Sequence, residues 1–203
     1  MSGIATWALV ALGLAVVLAR RRSIAVSLVT AQALVLVIVA LADASDRGDV
    51  VAGVALAARA LTLAALFLIL VARTREARPV RAGVAPLVRG GVAIALALAL
   101  AWLVPSIGLG SRDVELSVLA LVGFGLATVA MRRATIFQIL GIVLVENGLA
   151  MAALELPGDA SLAIEIGVAT DLILVALVAA VFHERIFAEF GAGDSAALRT
   201  LRG

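Results

Sequence analysis

Apolar positions in this chain come in long unbroken runs, separated by short clusters of arginine or acidic residues. Such runs lack the two-residue alternation of a membrane barrel strand and read as helices that are apolar nearly all round. A helix needs about 20 mostly apolar residues to cross roughly 30 Å of hydrocarbon. Seven stretches qualify: 3–19, 23–42, 50–72, 87–104, 113–131, 134–154 and 162–182. The expected fold class is therefore all-α, a polytopic membrane bundle of seven transmembrane helices. Pro105 ends the fourth run, and Pro157-Gly158 opens the turn after the sixth.

The arginines give the bundle a direction. One set of connections holds Arg20, Arg21, Arg22, Arg73, Arg75, Arg78, Arg81, Arg89, Arg132 and Arg133, and the C-terminal tail adds Arg185, Arg199 and Arg202. The opposite connections hold only Arg47 and Arg112, beside Asp43, Asp46, Asp49, Asp113, Glu155 and Asp159. Basic residues stay on the cytoplasmic side, so the N-terminus is expected outside and the C-terminus in the cytoplasm. The first run carries its arginines after the apolar stretch, unlike a secretory signal, and is expected to remain as a helix. Trp7 and Trp102 fall near the outer ends of their spans, at aromatic-belt depth. The Arg-rich connection between the third and fourth spans divides the chain into an N-terminal three-helix part (1–82) and a four-helix part (83–183). A cytoplasmic tail (184–203) follows, expected to dock a partner.

Composition narrows the chemistry. Of 203 residues, 64% are hydrophobic and 15% charged, against about 45–50% and 25% in soluble domains. Mean hydropathy is +1.20. With no Cys and one His, the chain supplies no thiolate metal site and no pair of histidines for a haem. No cofactor, no metal site and no catalytic residue is therefore expected, and the protein by itself is not expected to be an enzyme. No phosphate loop with Lys occurs, and Gly123-Phe124-Gly125 lies inside a span, where it reads as helix packing. The basic balance reflects the cytoplasmic rim and does not point to nucleic acid.

Few polar residues remain at mid-membrane depth: Arg59 in the third span, Glu146 and Asn147 in the sixth, Asp171 in the seventh and Gln32 in the second. Glu165 lies nearer the outer surface, and His183 at the inner end of the last span. A charge at the bilayer centre costs roughly 2.5–3.5 kcal/mol, so one Arg and two carboxylates left unmatched would cost about 8–10 kcal/mol. They are expected to face the bundle interior and to pair, Arg59 with Glu146 or with Asp171. Ala52, Ala55 and Thr62 share the helical stripe of Arg59, Gly167 that of Asp171, and Gly141 and Gly148 form a flat face on the sixth span. Two roles fit: a structural ion pair, or a relay in which Glu146 and Asp171 exchange protons beside Arg59 and Asn147. Glu165 is a weaker relay candidate. Gln32 is expected to make an interhelical hydrogen bond, and His183 to lie at headgroup level.

The segment Arg132-Arg133…Ile139-Leu140-Gly141…Glu146-Asn147-Gly148, then Glu165-Ile166-Gly167…Asp171, resembles the E-type membrane component family of hydrogenase-4. The ending Phe190-Gly191…Asp194-Ser195…Leu198-Arg199…Leu201-Arg202-Gly203 adds to the resemblance, which covers about 130–203; residues 1–129 agree only in layout. That family is related to the small K-type (4L) component of NADH-quinone oxidoreductase and to a small component of multi-subunit cation/proton antiporters. The resemblance implies a non-redox subunit of a complex I-like, proton-translocating group 4 hydrogenase or formate hydrogenlyase type complex. It would sit in a bacterial or archaeal cytoplasmic membrane, beside antiporter-like and anchor membrane subunits. It also implies a midplane carboxylate on each of two successive helices. Asp171 corresponds to the second; at the first this chain has Val143, with Glu146 on the adjacent turn and Asn147 matching an Asn of the pattern. The alternatives are a purely structural assembly subunit, a small antiporter subunit or a stand-alone transporter, although no inverted repeat is recognisable in the sequence for the last.

Overall fold

The structure is a computed structural model that describes residues 3–45, 47–74, 84–155, Gly167, Ile173, 175–177, 179–182 and Arg185. Six continuous helices follow one another: α1 (Gly3–Leu18), α2 (Arg22–Ala42), α3 (Arg47–Thr74), α4 (Pro86–Leu103), α5 (Arg112–Met131) and α6 (Thr135–Ala153). Gly167, Ile173, 175–177 and 179–182 are helical too, within the expected seventh span, and so is Arg185 beyond it. No strand occurs among the described residues.

Five of these helices, α2 to α6, are long and apolar enough to cross a membrane. The first is shorter than expected. α1 has 16 residues, about 24 Å at 1.5 Å per residue. The last bond of the helix is from the Ala19 N–H, shared between the carbonyls of Ala15 and Val16, and Arg21 is already extended. α3 runs the other way, to 28 residues. Its start is tied by Asp49, which accepts from both the N–H and the hydroxyl of Ser45 at 2.8 Å. Pro86 opens α4 at its first turn, where a missing N–H leaves nothing unsatisfied, and α4 ends before Pro105. Ser111 caps α5 by accepting from the N–H of Val114.

Sequential helices pack on one another from α1 to α3 and from α4 to α6, and α5 packs most extensively, between α4 and α6. Glycine allows this. A Cβ on Gly125 would lie 2.5 Å from the carbonyl oxygen of Gly141, and one on Gly141 would lie 2.8 Å from that of Gly125. The two backbones therefore touch where any side chain would hold them apart. A Cβ on Gly148 would meet Leu121 and Val118 of α5 at 3.2 Å. The flat face expected at Gly141 and Gly148 thus seats α5, and Gly123-Phe124-Gly125 is a packing segment. Gly167 differs: it is exposed, and a Cβ there would meet nothing within 4 Å. The expected close helix contact at Gly167 is not made among the described residues, because none of the described helices lies against that position.

The buried side chains form two apolar clusters. One gathers Val16, Val29, Leu63, Phe67, Phe124, Phe137 and Leu144. The other gathers Leu9, Ala33, Leu36, Leu56, Leu121 and Met151. Outside them the surface is itself apolar, with Ile4, Trp7, Leu61, Leu68, Leu87, Leu98 and Trp102 exposed. A contiguous surface of this kind suits hydrocarbon and not water.

Candidate functional site

Between the two apolar clusters lies a thin polar layer. On α2 it falls between Val29 of one cluster and Leu36 of the other; on α6 it falls between Leu144 and Ala150. Four helices supply it. Arg59 of α3 donates to Asn147 Oδ1 of α6 at 3.1 Å. Asn147 Nδ2 donates to Gln32 Oε1 of α2 at 2.8 Å, and Gln32 Nε2 donates to the backbone carbonyl of Leu9 in α1 at 2.8 Å. Arg59 Nη1 also lies 3.8 Å from Glu146 Oε2. All four side chains are buried, Gln32 and Asn147 completely.

Local sequence explains how each residue reaches this layer. The buried stripe of α3 is Ala52, Leu56, Arg59, Ala60, Leu63, Phe67 and Leu70, at three- and four-residue spacing. Thr62 falls off that stripe: it is exposed, and its hydroxyl donates back to the Ala58 carbonyl at 2.8 Å. The stripe turns gradually around the helix, and Thr62 sits on the outer side of the turn that carries Arg59. Gln32 reaches the α1 backbone because Gly13 leaves room. A Cβ there would lie 3.3 Å from Gln32 Nε2 and 2.7 Å from Leu121 Cδ2.

Of the two carboxylates expected to pair with Arg59, the structure brings Glu146 to it, with Asn147 as a hydrogen-bonding neighbour, and Gln32 makes the interhelical bond expected of it. Asp171, Glu165 and His183 lie outside the described residues, as does the 184–203 tail apart from exposed Arg185. Chemically, the two amides neither gain nor lose protons, and a guanidinium only donates. Glu146 is thus the one group in the layer, among the described residues, that can take up and release a proton.

Two groups of buried charge escaped the sequence. Arg22, Arg89 and Arg132, expected in the solvated cytoplasmic rim, are buried. Arg132 sits where α5 turns into α6. It donates to the carbonyls of Val17 and Ala19 at the end of α1, and its guanidinium lies 3.7 Å from the centroid of the Phe137 ring. A cation at a helix C-terminus faces the negative end of the helix dipole and its unpaired carbonyls. Burial, and next the charge of Arg89, push the Arg132 guanidinium down to about 9. These arginines look like rim residues because they stand within a few positions of a loop. Only packing against the end of α1 shows that α4 and the α5–α6 turn draw them inward.

The other missed residue is Glu115, at the far end of α5. Its Oε1 accepts from Ser106 Oγ at 2.7 Å and from the N–H groups of Gly108 and Leu109, and its Oε2 from Arg112 at 2.8 Å. Gly108 has φ +76°, a conformation suited to glycine. The Pro105–Ser111 loop thus folds over one buried carboxylate, which reads as a structural clasp. Its sequence signal is an acid on the fourth residue of a helix, beside Asp113 in the same first turn, after a Pro- and Gly-containing loop. No group of three or more His, Cys, Asp or Glu among the described residues is placed to hold a metal ion.

Comparison with known protein families, with characterised proteins and with solved structures finds no match to this chain.

Proposed function

We propose that this chain is an ion-handling integral membrane subunit with no redox chemistry of its own. In this reading it has seven spans, with the N-terminus outside and the C-terminus in the cytoplasm. The observation that carries the proposal is the buried Arg59–Glu146 pair in mid-helix, 3.8 Å apart and held by Asn147. Ionisable groups at such depth are expensive to keep and are found where ion paths and proton relays run. Glu146 takes up and releases the proton, while Arg59 stays charged and sets how strongly the carboxyl holds it. Asn147 fixes the guanidinium in place. Asp171 is the second relay carboxylate in this reading, and Glu165 a more peripheral one.

The resemblance of residues 130–203 extends the proposal to an assembly. The chain would be a membrane subunit of a complex I-like, proton-translocating group 4 hydrogenase or formate hydrogenlyase type complex. Its neighbours would be antiporter-like and anchor subunits in a bacterial or archaeal cytoplasmic membrane. Redox turnover elsewhere in the complex would shift the Arg59–Glu146 distance and so the proton affinity of Glu146, with transient water carrying the proton onward.

A second reading, the structural assembly subunit, is favoured by one feature: Gln32 and Asn147 carry no proton, yet they tie α1, α2, α3 and α6 together. Proton pumping by inverted vesicles holding the assembled complex separates the two. With Glu146→Gln, the ion-handling reading expects pumping per electron to fall while the complex still assembles. Normal pumping from a normally assembled variant removes it. A reduced yield of complex, with pumping per complex intact, establishes the structural one. Mass spectrometry after mild solubilisation tests the assembly, which is refuted if hydrogenase and antiporter-like chains do not co-purify.

A further inference from the structure

The arginine end of the bundle carries a second constellation, separate from the polar layer. Arg89, in the first turn of α4, is 1% exposed, and none of its three guanidinium nitrogens meets an acceptor among the described residues. Arg132 is 4% exposed; its Nη2 serves the end of α1, but its Nε and Nη1 have no acceptor there either. Gly90, next to Arg89, packs on Leu18 at the end of α1, Arg132 donates to the Ala19 carbonyl there, and Arg20 directly follows Ala19, so the three arginines gather around one helix end. Arg20 and Arg21 are exposed, so the cluster leads from the surface to the buried pair. The first turn of α4 contains no acidic residue. Its N-terminal N–H groups and dipole add positive potential to the same place.

Buried guanidinium nitrogens without acceptors are rare, because each has lost water and gained nothing in return. Like charges gathered in a poorly polarisable surrounding need an anion between them. The described residues supply none to Arg89 or Arg132. Beside them, Leu18 and the outward residues of α4, Leu87, Val88, Val92 and Ile94, are exposed and apolar. An anion that fits would be multidentate, with oxygen acceptors for several guanidinium groups, and could carry hydrocarbon beside it.

We propose that Arg20, Arg89 and Arg132 form a binding site for a phosphate group, supplied by an anionic phospholipid whose acyl chains lie along α4. A phosphate offers oxygens to several arginines at once, and basic pockets between helices on the cytoplasmic side suit lipid headgroups. Free phosphate shares the headgroup chemistry but gains nothing from the apolar face of α4.

The test uses the full-length chain, delipidated in nonionic detergent. Melting temperature and native mass spectra are followed on adding phosphatidylglycerol, phosphatidylcholine or inorganic phosphate. Phosphatidylglycerol is expected to raise the melting temperature and stay bound, whereas phosphatidylcholine does neither. Arg89→Gln and the exposed Arg20→Gln should each weaken phosphatidylglycerol binding roughly tenfold, the loss of about one charged contact. Arg112→Gln, at the opposite end, should leave it unchanged. Stabilisation by inorganic phosphate equal to that by the lipid, lost in the same variants, keeps the phosphate site and refutes the lipid as its source. No anion-dependent stabilisation, or undiminished binding in a folded Arg20→Gln protein, overturns the proposal even if Arg89→Gln fails to fold.

Discussion

The polar layer and the arginine end both bury guanidinium groups, yet they do so on opposite terms. In the layer, Arg59 faces Asn147 and Glu146, and each amide hands a hydrogen bond to the next helix. At the arginine end, among the described residues, Arg89 has no acceptor and Arg132 has one nitrogen in use out of three. A charge matched inside the chain is a fixed part of the fold, and removing its partner harms the fold. A charge left unmatched is a demand on the surroundings, and removing it relieves the fold unless something outside has met the demand.

The largest expected effect is therefore in the layer. Arg59→Leu deprives Glu146 and Asn147 of their shared partner and should lower stability by about 3–5 kcal/mol, read as lost folded protein in detergent melts. Arg59→Leu with Glu146→Leu should recover most of that loss; failure to recover would mean that the pair is not the unit that matters. Asn147→Leu should cost about 1–3 kcal/mol, because it strands Gln32 Oε1. A double-mutant cycle with Gln32→Leu should show coupling, and strict additivity would break the layer into independent contacts. Gly141→Ala should also cost about 1–3 kcal/mol by overpacking, since its Cβ would meet backbone atoms of α5 that cannot turn aside.

At the arginine end the sign should reverse. Without added anionic lipid, Arg89→Leu should be neutral or mildly stabilising in the same melts, and a loss as large as that of Arg59→Leu would erase the contrast. The smallest effect is in pH. Arg132 is held down to about 9, well below its value in the unfolded chain, so above that pH the unfolded chain holds more protons. Stability should rise as pH climbs through 9, by no more than about 1.4 kcal/mol per unit. The sequence contains no Lys, Tyr or Cys to confuse that window. Arg132→Gln should flatten the rise, and a slope that persists in this variant must come from another group.

The two regions also differ in how far the sequence disclosed them. The helices were legible because long unbroken apolar runs, whose backbones a helix satisfies internally, leave few alternatives. Arg59, Glu146, Asn147 and Gln32 stood out for the same reason, as polar residues in mid-run. That the Arg59 side chain reaches across to Glu146 of α6 was one of two pairings the spacing allowed. The burial of Arg89, Arg132 and Glu115 was not legible. A charged residue within a turn of a loop is solvated or buried according to which helix end lies across from it, and that is decided by tertiary packing.

The donors of the polar layer all point the same way, from α3 through α6 and α2 to α1. Arginine has nothing but N–H to offer, so it forces the oxygen of Asn147 toward itself, which forces the orientation of Gln32 in turn. Were Arg59 to swing away, both amides would be free to rotate by half a turn. The carbonyl of Leu9 would then lose its donor on the opposite side of the bundle. The layer is in this sense a row of tumblers, in which the position of one side chain on α3 is registered by the backbone of α1.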